Sequence, residues 1–377
     1  MKANIVIGLG FGDEGKGRTV DYLCSLYEKD SPNNTIVVRF SGGHQVGHTV
    51  MKKDGDKEIK HIFSNFGSGS LRNVPTYYSE FCTMYPTTMV TEYLTLAEKN
   101  IEPIFYLHPL TMITTPYDVA YNRAVERVRG EHCKHGTVGL GFGATIDRNL
   151  NTGYKLFAQD LEYSQHNIFK SKVDAIKKYY HNEKINSSNL RNIYFLELEK
   201  LEDIFFKDVE FKPYRLNNYE YLLNYKNLVF EGSQGVLLDM NHGFFPNVTY
   251  SNTTTKNALE IINKIPGNIS PEISYVTRCY QTRHGVGFMS DESNIELINN
   301  EHETCGTNIY QGELRIGELD YDMIKYALDV DLIYSGNIRK SLFITCLDQR
   351  PDFTFKNELL KKYGIYSYKG FDTPYNY

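Results

Sequence analysis

Short apolar runs alternate along this chain with segments whose apolar residues recur at helical spacing. Residues 4–10 form an apolar run that ends in glycines, which is typical of a buried parallel strand before a tight turn. From Lys16 onward the spacing of the apolar residues predicts a helix after that turn. A second strand is predicted at residues 35–40, and it leads into a glycine-rich stretch at residues 41–49.

The same alternation continues towards the end of the chain. Helices are predicted at residues 86–98 and 117–129. Further strands are predicted at residues 227–230, 273–276 and 342–345.

Strands that alternate with helices predict an α/β fold with a mostly parallel, doubly wound central sheet. No internal repeat or low-complexity linker divides the sequence, so one domain is predicted over residues 1–377. Residues 155–225 are rich in Lys, Asn, Tyr and Glu, and we predict that they form a helical insertion over the sheet. Ligands of such sheets bind at the carboxyl ends of the strands, where the motifs described next fall.

Composition narrows the classes of function. Hydrophobic residues make up 41% and charged residues 23% of the chain, and the formal net charge is -5, which does not favour nucleic-acid or membrane binding. The N-terminus has no signal-peptide pattern, so a cytoplasmic protein is predicted. The six cysteines are scattered without a CxxC pair, which argues against zinc and fits a reducing compartment. Thirty tyrosines and no tryptophan suggest an AT-rich coding genome, as a virus can have.

The first motif is the segment GFGDEGKG at residues 10–17, between a predicted strand and a predicted helix. It matches the first seven positions of the phosphate-loop pattern G-x-x-x-x-G-K-[ST], whose backbone N–H groups and lysine hold phosphates. Gly17 stands where a serine or threonine usually binds Mg²⁺, so we expect Asp13 to supply that oxygen. A glycine-rich turn with a solvated Lys16 is the alternative interpretation.

Two further segments carry polar residues after predicted strands. Residues 41–49 (SGGHQVGHT) hold two histidines four positions apart, but three glycines make a helical metal-binding pair implausible. We favour His48 as an acid or electrophile near a developing negative charge, against a purely structural role in the loop. Residues 230–254, rich in glycine and polar side chains, predict a binding rim, with an ordinary polar loop as the alternative.

Together the three segments resemble the signatures of the adenylosuccinate synthetase family, which are GDEGKG, GGHxxGHT and EGxQGxLLDxxHGxxPxVTxSN. All three occur here in the family's order. Residues 137–143 resemble the family's glycine-rich segment for the substrate phosphate, and Leu347-Asp348 resembles its base-recognition element. The resemblance covers most of the chain outside residues 155–225 and the C-terminus.

This resemblance implies a ligase that joins L-aspartate to C6 of a purine nucleoside monophosphate through a 6-phosphoryl intermediate. It implies ATP or GTP as the donor, Mg²⁺ as the cofactor, and a homodimer. By the same resemblance, Asp13 removes the N1 proton of the purine, and His48 stabilises O6 and the transferred phosphoryl group. Mg²⁺ is expected on Asp13 and on the carbonyl oxygen of Gly47.

The resemblance also implies three sets of binding residues. The donor nucleotide is expected to contact Gly12, Asp13, Glu14, Gly15, Lys16, Gly17, Arg18, Gly47, His48, Thr49, Arg315 and Asp348. The acceptor nucleotide is expected to contact Asp13, Gln45, Thr137, Val138, Arg148, Gln234 and Thr249. L-Aspartate is expected to contact Thr307, Asn308, Gln311 and Arg315.

The sequence departs from the family pattern around the acceptor. In the segment that matches the aspartate-binding loop, only Arg315 remains of a run of arginines, and Glu313 stands where an arginine approaches the ribose. Val138 replaces a phosphate-contacting threonine, and Arg148 is the nearest counterpart of an arginine that crosses the dimer interface. These changes suit a deoxyribonucleotide, and they favour the family's phage branch, the 2-aminoadenylosuccinate synthetases, which act on dGMP.

Three alternatives stay open. Some phage members carry serine in place of the loop aspartate, so the retained Asp13 keeps the IMP-using branch as an alternative. Asp348 suits guanine and therefore GTP, whereas Cys346 in place of the usual lysine, together with the phage resemblance, suits ATP. The third alternative belongs to another class of function, a switch protein that binds nucleotide without catalysis. Such a protein would need neither His48 nor Gln234, and serine or threonine would be expected at position 17.

Overall fold

The computed structural model describes residues 1–55, 57–130, 136–293, 295–298, 310, 312–366 and 368–376. Among these residues, nine strands form one central sheet, and every neighbouring pair in it is parallel. From one edge to the other, the strands are β15 (Tyr368–Gly370), β14 (Arg339–Thr345), β11 (Ser270–Arg278), β1 (Lys2–Gly8), β10 (Asn227–Gly235), β2 (Thr35–Arg39), β5 (Thr76–Tyr78), β7 (Phe105–Leu107) and β9 (Tyr214–Leu216).

Helices and small sheets surround this sheet. The helices are α1 (Lys16–Asp30), α2 (Pro86–Ala97), α3 (Pro116–Arg129), α4 (Phe142–Asn151), α5 (Asn167–Tyr179), α6 (Ser188–Leu198), α7 (Glu202–Asp208), α8 (Lys256–Lys264), α9 (Tyr321–Ser335) and α10 (Asn357–Lys361). The small sheets are β3 (His48–Asp54) with β4 (Lys57–Phe63) and β16 (Tyr375–Asn376), β12 (Tyr280–His284) with β13 (Leu314–Glu318), and β6 (Thr83–Met84) with β8 (Met112–Ile113).

Local sequence explains the central elements. All residues of β1 after Lys2 are buried, because helices cover both faces of a parallel sheet, and this is why the strand reads as a continuous apolar run. Gly15, with φ of 89°, adopts the left-handed conformation that starts α1 directly after the loop. Thr115 and Asp118 form a reciprocal capping box that starts α3, with Pro116 in its first turn.

The predicted fold class, a mostly parallel α/β sheet, is confirmed. Residues 155–225 contain α5, α6 and α7, and they also add β9 to the edge of the central sheet. Their apolar side chains share one buried cluster with α2 and α3. The hairpin of β3 and β4 was not expected from the sequence, and His48 lies at its first position instead of in the loop. Within the described ranges, no helix is both long enough and apolar enough to span a membrane.

Candidate active site

A cleft of about 890 Å³ opens at the carboxyl ends of β1, β2 and β10, where the sequence predicts the site. Fourteen of the predicted residues line it: Gly12, Asp13, Glu14, Gly15, Lys16, Gly17, Gln45, Gly47, His48, Thr49, Thr137, Val138, Gln234 and Thr249. The three signature segments are therefore brought together in one cavity.

Glu14 holds the phosphate loop in shape from the inside. Its carboxylate Oε1 accepts hydrogen bonds from the backbone N–H groups of Gly10 (3.0 Å) and Gly12 (2.9 Å), and its Oε2 accepts one from Nζ of Lys16. A Cβ at Gly8 or Gly235 would lie 2.3 Å from the same carboxylate, so these glycines make room for it. The Glu14 side chain thus accepts hydrogen bonds from two loop amides and from Lys16.

Gly17 is required by close packing. A Cβ at this position would lie 2.7 Å from Cβ of His48 and 2.9 Å from Oγ of Ser68. The first turn of α1 therefore touches the beginning of β3 directly, and this explains why serine or threonine is missing from the end of the phosphate loop. The residue that departs from the usual pattern is the one that lets His48 approach the loop.

His48 belongs to a buried chain of polar groups. Its Nδ1 donates a hydrogen bond of 2.6 Å to Oε1 of Glu231, and the same carboxylate accepts hydrogen bonds from the hydroxyl and the backbone N–H of Ser68. Burial alone would raise the pKa of Glu231, but His48, Arg39 and Ser68 lower it to about 2. The carboxylate is therefore ionised, and it fixes the imidazole with Nδ1 turned away from the cleft.

Asp13 lies within the phosphate loop, in the left-handed conformation with φ of 60°. Its Oδ2 is 3.1 Å from Nε2 of His284, and its backbone carbonyl accepts a hydrogen bond from Nε of Arg278. Burial favours the neutral acid, but His284, Arg278 and Lys16 together lower the pKa of Asp13 to about 2. The carboxylate is ionised at neutral pH and is 29% exposed, so it is an available proton acceptor.

Two glutamines offer unused hydrogen-bonding groups to the cleft. Both Nε2 and Oε1 of Gln45 are buried without a partner among the described residues, and so is Oε1 of Gln234. Gln234 also has a φ of 45°, an uncommon backbone conformation for a residue with a side chain. Buried amide groups without partners are costly, which indicates that a polar ligand satisfies them.

The far end of the cleft is built around the beginning of α4. The side-chain Oδ1 of Asn122 accepts hydrogen bonds from the hydroxyl of Thr137 and from the backbone N–H of Gly141, both at 3.1 Å. This contact holds the glycine-rich segment against the helix N-terminus, which is a favourable place for an anion. Lys184, from the segment after α5, also lines this end, and its Nζ is 3.2 Å from a carboxylate oxygen of Asp147.

The comparisons with known proteins agree with these features. The sequence model of the family described as adenylosuccinate synthetase matches residues 5–353. The chain belongs to this family. The adenylosuccinate synthetase of Nitrosococcus oceani is 31% identical over 364 residues, which are 91% of this chain and 76% of that protein. The enzyme of Borrelia recurrentis is 29% identical over 346 residues, 87% of this chain and 74% of that protein. The chain is therefore a ligase that forms C–N bonds.

Solved structures share the fold. A fully ligated adenylosuccinate synthetase from Plasmodium falciparum superposes with a TM-score of 0.64 at 20% identity, over 92% of this chain and 77% of that chain. The succinoaminodeoxyadenylate synthetase PurZ of cyanophage S-2L, bound to dGMP and to dATP as an energy donor, superposes with a TM-score of 0.63 at 15% identity. That match covers 99% of this chain and 93% of that chain.

One predicted residue lies away from the cleft of this chain. Arg148, expected to contact the acceptor nucleotide, is 0% exposed and does not line the cleft. Its guanidinium donates two hydrogen bonds to the carboxylate of Asp118 and one each to the carbonyls of Ile113 and Tyr154. These partners occupy the guanidinium inside the protein, so Arg148 connects α3 to α4 and has a structural role.

Three other predicted residues are described but do not line the cleft. Arg315 donates hydrogen bonds to Glu292 and to the carbonyl of Gly287. Asp348 accepts a hydrogen bond from the side chain of Gln349. Arg18 lies beside Phe371, with its guanidinium carbon 3.6 Å from the ring centroid.

The predicted aspartate ligands Thr307, Asn308 and Gln311 lie outside the described residues.

Three residues of the site were not singled out from the sequence. Glu231 lies within a signature segment, but only the fold shows its hydrogen bond to His48. His284 and Lys184 lie in segments that carry no motif, and a single sequence offers no signal for either. Each reaches the cleft because strand β12 and the segment after α5 fold back towards the phosphate loop and α4.

Proposed function

We propose that this chain phosphorylates O6 of a purine nucleoside monophosphate and then replaces the phosphorylated oxygen with L-aspartate. The observation that carries this proposal is that the Asp13 carboxylate and the His48 imidazole, which the buried Glu231 holds by its Nδ1, line one cleft beside a phosphate loop. O6 of a 6-oxopurine is a poor nucleophile until N1 loses its proton, and it is a poor leaving group until it is phosphorylated. A base at N1 and a cationic group at O6 supply both needs.

In the first step, the ionised Asp13 accepts the N1 proton, and O6 attacks the terminal phosphorus of the donor. The P–O bond to the nucleoside diphosphate breaks in the same displacement. In the second step, the neutral amino group of L-aspartate attacks C6, the C–O bond breaks so that inorganic phosphate leaves with O6, and the new C–N nitrogen releases one proton to solvent. The pKa of about 2 keeps Asp13 ionised throughout the physiological range, which is the form in which a carboxylate can accept a proton.

His48 stabilises the negative charge that develops on O6 and on the transferred phosphoryl group. The pKa of His48 is lowered, because burial, together with the charges of Arg39 and Lys16, outweighs the raising effect of the hydrogen bond and charge of Glu231. A bound phosphoryl group adds a second negative charge near the ring and strengthens the raising effect. We propose that His48 is protonated when both nucleotides are bound, and that Nε2 donates to the reacting oxygens.

Gln45, Gln234 and Thr249 hold the acceptor nucleotide in this proposal. The unpaired amide groups of the two glutamines provide both donors and acceptors, as the edge of a purine and its phosphate require. The acceptor phosphate lies at the beginning of α4, near Thr137 and Val138, where Lys184 adds positive charge from within the same chain.

The residues of the cleft fit a Mg²⁺ ion. In the described part of the chain, no cluster of three or more His, Cys, Asp or Glu residues is arranged to hold a metal. Mg²⁺ at nucleotide sites needs only one or two carboxylates, because phosphates and water complete its coordination. Asp13 and the Gly47 carbonyl, both in the cleft lining, would hold the ion, which would neutralise charge between donor and acceptor.

For the acceptor we propose dGMP, with IMP as the alternative. Support comes from the lost arginine run and from Arg315, whose guanidinium is occupied by Glu292 and Gly287. The likeness to the cyanophage protein bound to dGMP covers nearly the whole length of both chains, and it also supports dGMP as the acceptor. Glu313 is exposed and does not line the cleft, so the choice depends on the lost positive charge and not on a contact by that carboxylate.

The donor is ATP or GTP in this proposal, and the enzyme acts as a cytoplasmic homodimer, in the host cytoplasm if it is encoded by a phage. A switch protein that binds nucleotide without chemistry is disfavoured. It would have no use for an ionised carboxylate and a carboxylate-held histidine in the same cleft.

Product mass tests the proposed function directly. The purified protein is incubated with L-aspartate, Mg²⁺ and each pairing of dGMP or IMP with ATP or GTP. We expect an aspartate adduct of dGMP and release of inorganic phosphate, with kcat/KM for dGMP at least tenfold above that for IMP, which corresponds to about 1.4 kcal/mol. Conversion of IMP as fast as dGMP with the same donor would return the acceptor assignment to IMP. No aspartate adduct in any pairing would refute the ligase function.

A further inference from the structure

The Asp13 carboxylate has a protein partner that lies outside all the signature segments. His284 is the last residue of β12, and its Nε2 lies 3.1 Å from Oδ2 of Asp13. The histidine is the less accessible of the two, with 11% of its side chain exposed against 29% for Asp13. The contact therefore reaches the proposed base from the protein side of the cleft.

The two partners differ in how firmly the backbone holds them. Asp13 lies in a glycine-rich turn, where Arg278 donates a hydrogen bond to its backbone carbonyl. His284 lies on a strand and pairs with Leu314 of β13. A residue on a strand has a better-defined position than a residue on a loop, so His284 is suited to orient Asp13.

The second nitrogen of His284 indicates that the ring serves the site. Its Nδ1 is buried, and it has no hydrogen-bond partner among the described residues. A histidine that only stabilised the fold would be expected to satisfy both nitrogens with protein groups. Among the described residues, the side-chain partner of the His284 ring is the proposed base Asp13, and His284 lines the cleft.

We propose that His284 is a positioning residue that holds Oδ2 of Asp13 and so directs Oδ1 towards N1 of the acceptor purine. This inference rests on the proposed function. Proton transfer requires the donor and acceptor atoms to lie within hydrogen-bonding distance and in line, and a misplacement of about 1 Å can cost on the order of 10²-fold in rate. A carboxylate that rotates freely in the loop would often present neither oxygen in that geometry.

Three substitutions of His284 separate orientation from simple packing. The amide nitrogen of glutamine reaches the place of Nε2, whereas that of asparagine reaches the place of Nδ1, and alanine reaches neither. We expect His284→Ala and His284→Asn to lower kcat by roughly 10- to 100-fold, while KM for the acceptor and for aspartate changes less than about threefold. His284→Gln should restore kcat to within about threefold of the wild type.

The assay is steady-state formation of the aspartate adduct, with the thermal midpoint of every variant measured beside it. His166→Ala, an exposed histidine before α5, is the control and should match the wild type. Equal kcat values for the alanine and glutamine variants would overturn the inference, as would an unchanged kcat with a raised KM. If the wild type forms no adduct, the proposed function fails and this inference fails with it, whereas an active wild type with an equally active alanine variant refutes the inference alone.

Discussion

Replacing Glu231 with glutamine should separate the chemistry of the His48 pair from its contribution to the fold. The glutamine oxygen can still accept the hydrogen bond from Nδ1 of His48, so the ring keeps its orientation, but the negative charge is lost. Without that charge, a protonated His48 is no longer favoured beside the transferred phosphoryl group. We expect Glu231→Gln to lower kcat by about 10² to 10³, as the loss of a group that stabilises transition-state charge does.

The pKa of Glu231 sets the size of the effect on stability. A pKa of about 2, against 4.5 for an ordinary glutamate, corresponds to roughly 3 kcal/mol of preference for the ionised form in the folded protein. This contribution is fully present above pH 4.5 and is lost as the pH falls from 4.5 to about 2, because only the unfolded chain takes up a proton in that interval. The variant should therefore unfold more easily at pH 7 by roughly 3 kcal/mol, and it should lose stability less steeply in acid.

A second buried pair provides the matched control. The carboxylate of Glu92 is 3.4 Å from Nε2 of His61 and accepts hydrogen bonds from the backbone N–H groups of Ser64 and Asn65, but neither member of the pair lines the cleft. Glu92→Gln should also lower the free energy of unfolding, measured by urea titration, yet keep kcat within about threefold of the wild type. If Glu231→Gln keeps near-wild-type kcat, or if both variants lose kcat equally, the assigned role of Glu231 is refuted.

Three further substitutions test Gly17 and Lys184 of the cleft and Asp348, which does not line the cleft but resembles the family's base-recognition element. Gly17→Ala should displace His48 and lower kcat by about 10², while nucleotide binding stays detectable by calorimetry. A wild-type kcat would show that the close contact of Gly17 with His48 is not needed. Asp348→Asn should weaken the use of GTP by ~1–3 kcal/mol in kcat/KM and leave ATP unchanged, and equal losses would indicate a structural role. Lys184→Met should raise KM for the acceptor about tenfold without changing KM for the donor, and an unchanged acceptor KM would remove Lys184 from the phosphate site.

The sequence predicts the parts of the fold that are governed by local pattern. The buried strands and the phosphate loop can be located because a strand that is buried on both faces is a continuous apolar run, and because glycines mark the turn that follows it. The hairpin of β3 and β4 was missed, since its residues 52–60 are largely polar and one of its faces is exposed. A half-exposed hairpin of mostly polar residues shows no regular spacing of apolar residues, so its sequence looks like that of an irregular loop.

For the site, the sequence predicts which segments meet but not which side chains pair. The signature segments line one cleft because they follow neighbouring parallel strands. His284 and Lys184 come from segments distant in the chain, and their approach depends on tertiary folding that no local motif encodes. Sequence also does not reveal that Arg148 is buried and that its charge is matched by Asp118 inside the protein.

The central claim is that O6 of the purine becomes a phosphate ester oxygen before aspartate displaces it. Acceptor nucleotide labelled with ¹⁸O at the 6-oxo position tests this step most directly. After turnover with L-aspartate, Mg²⁺ and the preferred donor, mass spectrometry of the released inorganic phosphate should show one ¹⁸O atom for each aspartate adduct formed. Adduct formation with unlabelled phosphate and the ¹⁸O in water would contradict the account, because O6 would then have left without ever being bonded to phosphorus.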